Sequence, residues 1–339
     1  MRRPPPRPLA VLAAAGMLAL AGCGTATSGP RYAASSDDAG GTIRAHEVMR
    51  LTQPHAETGM TLLEGPTFGT DGRLVVVDVT APEGEPKVMS VDVGKKTVRP
   101  LHTDDRGAYT SAQFSPHDGR PYLTDYLHGE IVSLDAGGGD AKTFFSGEVD
   151  GAPMNPDDIA FDQDGNLYVS DSRGLSEGEA HGRVVRVSRD GAQADVLADG
   201  LAATNGVSFD ADYHGLWFSE LTENRISYLQ LDEQGEVTSR HTAIRVDGGI
   251  AQTDSIAVDA DGNLYVGLHG RPAMAVYSPH GERLATIEPP AEAEGLKSAT
   301  NVAITPGGTT AYMTVSGPAG GYLYTFDALA EGTRQSNGG

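Results

Sequence analysis

One motif written six times constrains this chain more than any other feature. A short apolar run, a Gly-containing turn and a second apolar run recur along it. Ile159-Ala160-Phe161 leads through Asp164-Gly165 to Leu167-Tyr168-Val169, and Ile256-Ala257-Val258 leads through Asp261-Gly262 to Leu264-Tyr265-Val266. The heads of the units stand at Glu64, Thr110, Asp157, Asn205, Asp254 and Asn301, at intervals of 46, 47, 48, 49 and 47 residues. A near-constant period of this length marks a repeat architecture. Further alternating segments, such as 182–187 and 224–229, follow each pair and bring the count to four strands per unit. The predicted fold is therefore all-β, a six-bladed β-propeller with four antiparallel strands per blade over residues 42–330. Segment 42–51 is expected to close the ring by completing the last blade. With 44 Gly and 20 Pro in 339 residues, the composition suits short strands joined by tight turns.

The propeller geometry gives the strand heads a meaning. The first strand of each blade lines the central channel, so the heads converge on the axis. They read Glu64, Thr110, Asp157, Asn205, Asp254 and then Thr300 or Asn301. Three carboxylates and an amide in a narrow channel repel one another until a proton or a cation intervenes. The donors are all hard oxygens, which favour Ca²⁺ over a soft metal. Glu64, Asp157, Asn205 and Asp254 are thus the expected ligands of one catalytic Ca²⁺, other divalent cations being compatible with the same donors. Asp158, Ser255, Thr110 and Asn301 are further candidates for contact with metal or substrate. The acids that follow the second strand, Asp78, Asp125, Asp171 and Glu220, are expected to cap turns.

The N-terminus reads as an export signal. Arg2, Arg3 and Arg7 precede an apolar run from Leu9 to Leu20 that is too short to span a bilayer. It ends in Leu20-Ala21-Gly22-Cys23, which resembles a bacterial lipobox, and Cys23 is the single cysteine of the chain. The expectation is a lipoprotein signal peptide at 1–22 and lipidation of Cys23. A flexible tether follows at 23–41, and a disordered tail is expected at 331–339. The mature protein would be held by lipid alone on the outer face of the bacterial cell membrane. The formal charge of -21 argues against nucleic-acid binding. A lone cysteine permits no internal disulfide.

Four motifs together resemble a known family. Glu64-Gly65-Pro66, Asp157-Asp158-Ile159, Ala203-Thr204-Asn205-Gly206 and Thr253-Asp254-Ser255 occur in the order and spacing of the gluconolactonase, senescence-marker-protein and luciferin-regenerating enzyme family. The likeness covers roughly residues 45–330 and is greatest to bacterial drug-responsive lactonases. It implies a catalytic divalent cation on Glu64, Asp157, Asn205 and Asp254, with Asp254 transferring the proton. Asp at 157, where many members have Asn, and Ser255 after the last ligand are shared with the drug-responsive lactonases. Those enzymes also carry a second, structural Ca²⁺ in loops of the second and third blades. Here the loop 126–130 is shorter and 137–140 shows no matching ligand pattern.

The expected function is calcium-dependent hydrolysis of a small-molecule lactone or related ester, by metal-assisted attack of water with Asp254 in proton transfer. The alternative is a non-catalytic, lipid-anchored propeller that binds a partner or senses a metabolite around a structural Ca²⁺. Serine-triad chemistry is disfavoured, because Ser219, Ser255 and Ser316 lack a Gly-x-Ser-x-Gly elbow. His128, His181, His214 and His269 read as surface or turn histidines, any of which would serve as a proton shuttle if it reached substrate. Loops 175–180 and 289–297 are expected over the channel, the second as a mobile lid.

Overall fold

The computed structural model describes residues 40–105, 107–175 and 180–334. The signal-peptide segment, Cys23, most of the tether, most of loop 175–180 and residues 335–339 lie outside the described residues. Among the described residues there is no α-helix, and a single 3-10 turn spans Leu221–Glu223. Each of the first four repeats forms its own four-stranded antiparallel sheet, in chain order from first strand to fourth. The first strands are Leu63–Phe68, Tyr109–Phe114, Pro156–Phe161 and Thr204–Phe209, and the second strands are Leu74–Asp78, Pro121–Asp125, Leu167–Asp171 and Gly215–Glu220. The fifth and sixth repeats, which open at Gln252–Val258 and Ser298–Ile304, share one nine-stranded sheet. This all-β construction from four-stranded antiparallel sheets is that of a propeller.

The fusion of the last two repeats has a local cause. The second strand of the fifth repeat, Leu264–His269, carries Gly267 where other second strands carry a hydroxyl residue such as Ser170, Ser219 or Thr314. A Cβ at Gly267 would run into the Thr300 carbonyl of the next repeat. Without one, the two backbones meet, and Leu268 pairs with Ala299.

The N-terminal segment does more than complete the last repeat. His46–Thr52 pairs antiparallel with Gly320–Asp327, as expected of a closing strand. Gly41–Arg44, however, runs parallel to Arg283–Glu288 and extends the fifth repeat instead. Ala45, fully buried between the two, makes the crossing because a small side chain fits the core there. The expected tail also begins later than its composition suggests. Glu331 accepts the Ala260 N–H, and Gly332 exchanges hydrogen bonds with Gly307 and Gly308, so 331 and 332 are bound to the sheets.

The inner strands are buried on both faces, so the cores lie between successive sheets. Val75, Val77 and Val88 of the first repeat pack on Tyr109, Ala112 and Leu123 of the second. Leu63, Leu74 and Val76 of the first repeat also pack on Ala303 and Leu323 of the sixth. The two ends of the chain are therefore sealed by apolar burial, which supplies most of the folding free energy.

A device repeated in every first strand prepares the site. The register with the second strand breaks at the strand head in all six: between Glu64 and Thr67, Tyr109 and Ser111, Pro156 and Ile159, Thr204 and Val207, Thr253 and Ile256, and Ala299 and Val302. A bulge of this kind frees residues from the ladder and re-aims their side chains. It also leaves backbone groups to be satisfied, and hydroxyls of the second strands, with Thr300 of the sixth first strand, do this. Ser219 Oγ accepts the Gly206 N–H at 2.7 Å and donates to the Asp254 carbonyl of the next repeat at 2.8 Å. Thr124 Oγ1 donates to the Asp157 carbonyl at 2.6 Å, and Thr300 Oγ1 donates to the Leu63 carbonyl at 2.6 Å. The bonds to the Asp254, Asp157 and Leu63 carbonyls each tie one repeat to the head of its neighbour.

These staples are testable through stability. Ser219→Ala strands two buried backbone groups and is expected to lower unfolding free energy by on the order of 2–4 kcal/mol in denaturant titration. Ser239→Ala, on an exposed stretch of an edge strand, is expected to stay within about 0.5 kcal/mol of the parent. Equal stability of the two variants would show that the hydroxyls do not hold the heads together.

Candidate metal centre

The four expected ligands are brought together. Glu64, Asn205 and Asp254 are 7%, 8% and 3% exposed, so their polar ends have left bulk water. Asn205 Nδ2 donates to Asp157 Oδ2 at 3.1 Å, which joins the third and fourth repeats. Ser172 Oγ donates to the same oxygen at 2.9 Å. Asp254 Oδ1 accepts the Ser255 N–H at 3.1 Å, and its backbone carbonyl is fixed by Ser219. Glu64 lies within electrostatic reach of Asp254, Asp158 and Asp157.

The electrostatics follow from burial of like charge. Burial is the main cause raising the Glu64 carboxyl well above its ordinary range, and Asp254, Asp158 and Asp157 add to it. Burial pushes Asp157 up to about 7, with the Ser172 hydroxyl opposing the rise and the Asp254 charge adding to it. Asp158 is likewise raised well above the usual value, first by burial and then by Asp157.

Among the described residues, no three His, Cys, Asp or Glu side chains converge closely enough to make a ready-made metal site. The donors nevertheless fit a hard cation. Nine buried side-chain polar atoms among the described residues lack a hydrogen-bond partner, and seven of them belong to the first strands: Glu64 Oε2, Ser111 Oγ, both oxygens of Asp158, Thr204 Oγ1, Asn205 Oδ1 and Asp254 Oδ2. Three of the four expected ligands thus present a bare oxygen. Unpaired buried oxygens are costly, and oxygen-only donors of this kind match Ca²⁺. A surface cavity of about 520 Å³, lined by residues that include Leu51, His55, Pro82 and Pro100, contains none of them.

The secondary candidates divide. Thr110 Oγ1 donates to the Asp157 carbonyl at 2.9 Å and so supports a ligand through its backbone. Asn301 Oδ1 accepts the Val302 N–H at 2.8 Å, and it is Thr300 that stands against the Glu64 carboxyl. Ser255 supports Asp254 by its N–H, while its hydroxyl lies beside Asp158. The trailing acids do more than cap turns. Ala108, Asn155 and Ala202, just before three of the first strands, donate their N–H groups to Asp125, Asp171 and Glu220. Arg183 pairs with Asp171 at 2.6 Å, and Arg225 pairs with Glu220 at 2.5 Å. These buried acids hold in place the loops that deliver the ligands.

Two residues near the centre differ from the sequence reading. His269, read as a surface or turn histidine that would shuttle protons only if it reached substrate, places Nδ1 3.6 Å from Asp254 Oδ2, and that carboxylate holds the imidazole above its usual range. Its position at the end of the second strand was the available signal. The phenol of Tyr126 is half-buried near Asp157 and Asp171, which with burial push it up to about 12. Nothing in its local sequence marked it. His128 keeps to the reading of a turn histidine, bonded to Asp125 three residues away. His214 and His181 are exposed. Segment 289–297 is tied down by the Lys297 N–H to Ser316 and by Gly295 to Ala319, unlike the expected mobile lid.

A repeated-sheet, all-β scaffold that gathers acidic and amide oxygens at its strand heads defines a propeller-type protein with an acidic hub. The chain belongs to the SMP-30/gluconolactonase/LRE-like family, whose sequence profile matches residues 62–317. Lactonase drp35 of Staphylococcus saprophyticus is 29% identical over 281 residues, covering 80% of this chain and 84% of that protein. Lactonase drp35 of Staphylococcus aureus strain USA300 is 27% identical over 316 residues, covering 89% and 94%. The calcium-binding protein regucalcin from Agrobacterium tumefaciens has a TM-score of 0.68 at 16% identity, covering 87% of this chain and 98% of its own. The gluconolactonase XC5397 of Xanthomonas campestris has a TM-score of 0.65 at 21% identity, covering 85% and 98%. At these identities the two structures show a shared fold.

The raised acids predict a pH signature. A carboxyl whose pKa is higher folded than unfolded contributes stability below its unfolded value, near 4, and loses it as pH rises through its folded value. For Asp157 that window closes at about 7. In chelator the melting temperature is therefore expected to fall between pH 4 and 8, and added Ca²⁺ is expected to raise it more at pH 8 than at pH 5. A melting temperature in chelator that climbs over this window, with no response to Ca²⁺, contradicts the assignment.

Proposed function

We propose that this chain is a calcium-dependent lactone hydrolase built as a six-bladed β-propeller. The observation that carries the reading is the set of bare buried oxygens on Glu64, Asn205 and Asp254, in a chain whose relatives are named lactonases. The six-blade count is supported by six first strands with the same bulge and by apolar cores that run between consecutive repeats and from the sixth back to the first.

Glu64, Asp157, Asn205 and Asp254 would hold the cation. When bound, it supplies electrostatic stabilisation of the carbonyl oxygen as that oxygen gains charge and helps to order the attacking water. The protein supplies the rest. Ser172 and Asn205 fix one oxygen of Asp157, and the Ser255 N–H fixes one oxygen of Asp254. Asp254, with His269 beside its carboxylate, takes a proton from water as the water oxygen adds to the lactone carbonyl carbon. The tetrahedral adduct collapses, the ring C–O bond breaks, and Asp254 returns the proton to the departing ring oxygen. One water is consumed and a hydroxy acid is released. Holding water and ester in one orientation removes much of the entropic barrier.

The reading extends to location. We propose export and lipid anchoring through Cys23 on the outer face of the bacterial membrane, on the strength of the lipobox-like Leu20-Ala21-Gly22-Cys23. Among the described residues no helix is long and apolar enough to cross a membrane.

A panel of aldonolactones, aromatic lactones and phosphotriesters assayed with Ca²⁺, Mn²⁺ and Zn²⁺ tests the proposal. Turnover of at least one lactone is expected, lost in chelator and restored by Ca²⁺. Asp254→Asn is expected to lower kcat by on the order of 10²–10⁴-fold while its circular dichroism stays that of the parent. Turnover that survives complete chelation, or no turnover of any lactone with metal present, contradicts it.

A further inference from the structure

The bulge at each strand head presents a second ring of residues, one position after the first. That ring reads Gly65, Ser111, Asp158, Gly206, Ser255 and Asn301. Its members are glycines or carry oxygen, and none is basic. The glycines admit close approach of neighbouring backbone: a Cβ at Gly65 would meet the Ala112 nitrogen, and one at Gly206 would meet the Ile256 nitrogen.

Asp158 is the anomaly of this ring. It is 1% exposed, and neither carboxylate oxygen has a hydrogen-bond partner. Its backbone is satisfied, with the N–H donating to Ser170 Oγ at 2.8 Å. The hydroxyls of Ser111, from the second repeat, and Ser255, from the fifth, stand beside its carboxylate. Ser111 Oγ is itself buried and without a partner. Leaving a buried carboxylate bare costs several kcal/mol unless a cation or proton meets it.

Charge favours a cation where all four hub carboxyls are ionised and His269 is neutral. Glu64, Asp157, Asp158 and Asp254 act on one another across the hub. Among the described residues, the ion pair made by any of the four is His269 with Asp254. One divalent ion on the first ring would offset two of the four negative charges and leave a formal charge of about -2 in a buried space, where unpaired charge is expensive. A second divalent ion would bring it to about zero.

We propose that Asp158, with the hydroxyls of Ser111 and Ser255, forms a second cation site on the hub, adjacent to the first and suited to Ca²⁺. One carboxylate with hydroxyl and water oxygens is a hard, flexible donor set of the kind calcium accepts. This inference rests on the proposed function, because it adds an ion to the same hub. It places the second ion on the strand heads and not in the blade loops.

Calcium titration of the chelator-stripped full chain by calorimetry, checked by elemental analysis of the loaded protein, reads the stoichiometry. The expected result is two equivalents for the parent and one for Asp158→Asn. Ser111→Ala, a milder change that keeps the carboxylate, is expected to weaken the second binding step about tenfold and to leave the first unchanged. One equivalent for the parent overturns the second site and leaves the proposed function standing. No bound calcium in the parent overturns both. Two equivalents that persist in Asp158→Asn place the second ion elsewhere and overturn this assignment. Should Asp158→Asn not fold, a weakened second step with an unchanged first step in Ser111→Ala decides for the proposal, and unaltered two-site binding in that variant decides against it.

Discussion

Like charge forced together out of water is the constraint around which the molecule is arranged. Glu64, Asp157, Asp158 and Asp254 come from three separate strands and still feel one another's charge. Burial alone would drive such groups to hold protons, and Asp157 shows the strain in a titration near neutrality. A fold selected only for stability would fill this space with apolar side chains, because a buried ionic cluster seldom outperforms a hydrophobic one. The cluster therefore speaks for chemistry at the hub. Asn205 and Asp254 are each tied to the protein through one polar atom and leave an oxygen bare.

The scaffold serves this arrangement at every level. Apolar cores lie between the sheets and leave the hub polar. The bulges turn the head residues out of the ladders, and hydroxyls from the second strands satisfy the backbone groups that the bulges expose. Buried acids behind the heads, Asp125, Asp171 and Glu220, hold the entry loops by their backbone N–H groups. Gly267 then lets the fifth and sixth repeats touch directly, where a side chain would separate them. Rigid support of this type is what keeps ligands and a general base within the tolerance that catalysis needs.

Much of this was legible in the sequence because periodicity survives translation into space. The 47-residue period and the alternation within each unit led to four-stranded sheets, and the chemistry of Glu64, Asp157, Asn205 and Asp254 marked one shared centre. What escaped depended on contacts between distant residues. Gly41–Arg44 pairs across more than 240 positions with Arg283–Glu288, a register no local pattern announces. His269 approaches the centre from the end of its strand and Tyr126 from the turn after its own, neither announced by residue type. Thr300 and Asn301 could not be separated from sequence, since only the bulge decides which of two neighbours meets Glu64. Glu331 and Gly332 look like tail by composition, yet backbone hydrogen bonds that do not depend on side chains recruit them to the sheets.

The central claim is that oxygens from separate strands share one divalent ion at the hub. Anomalous scattering from crystals of the full chain grown with calcium addresses it directly. The account predicts a peak about 2.3–2.6 Å from oxygens of Glu64, Asp157, Asn205 and Asp254. Density for water alone at that point, with the four side chains hydrogen-bonded elsewhere at saturating calcium, would contradict it.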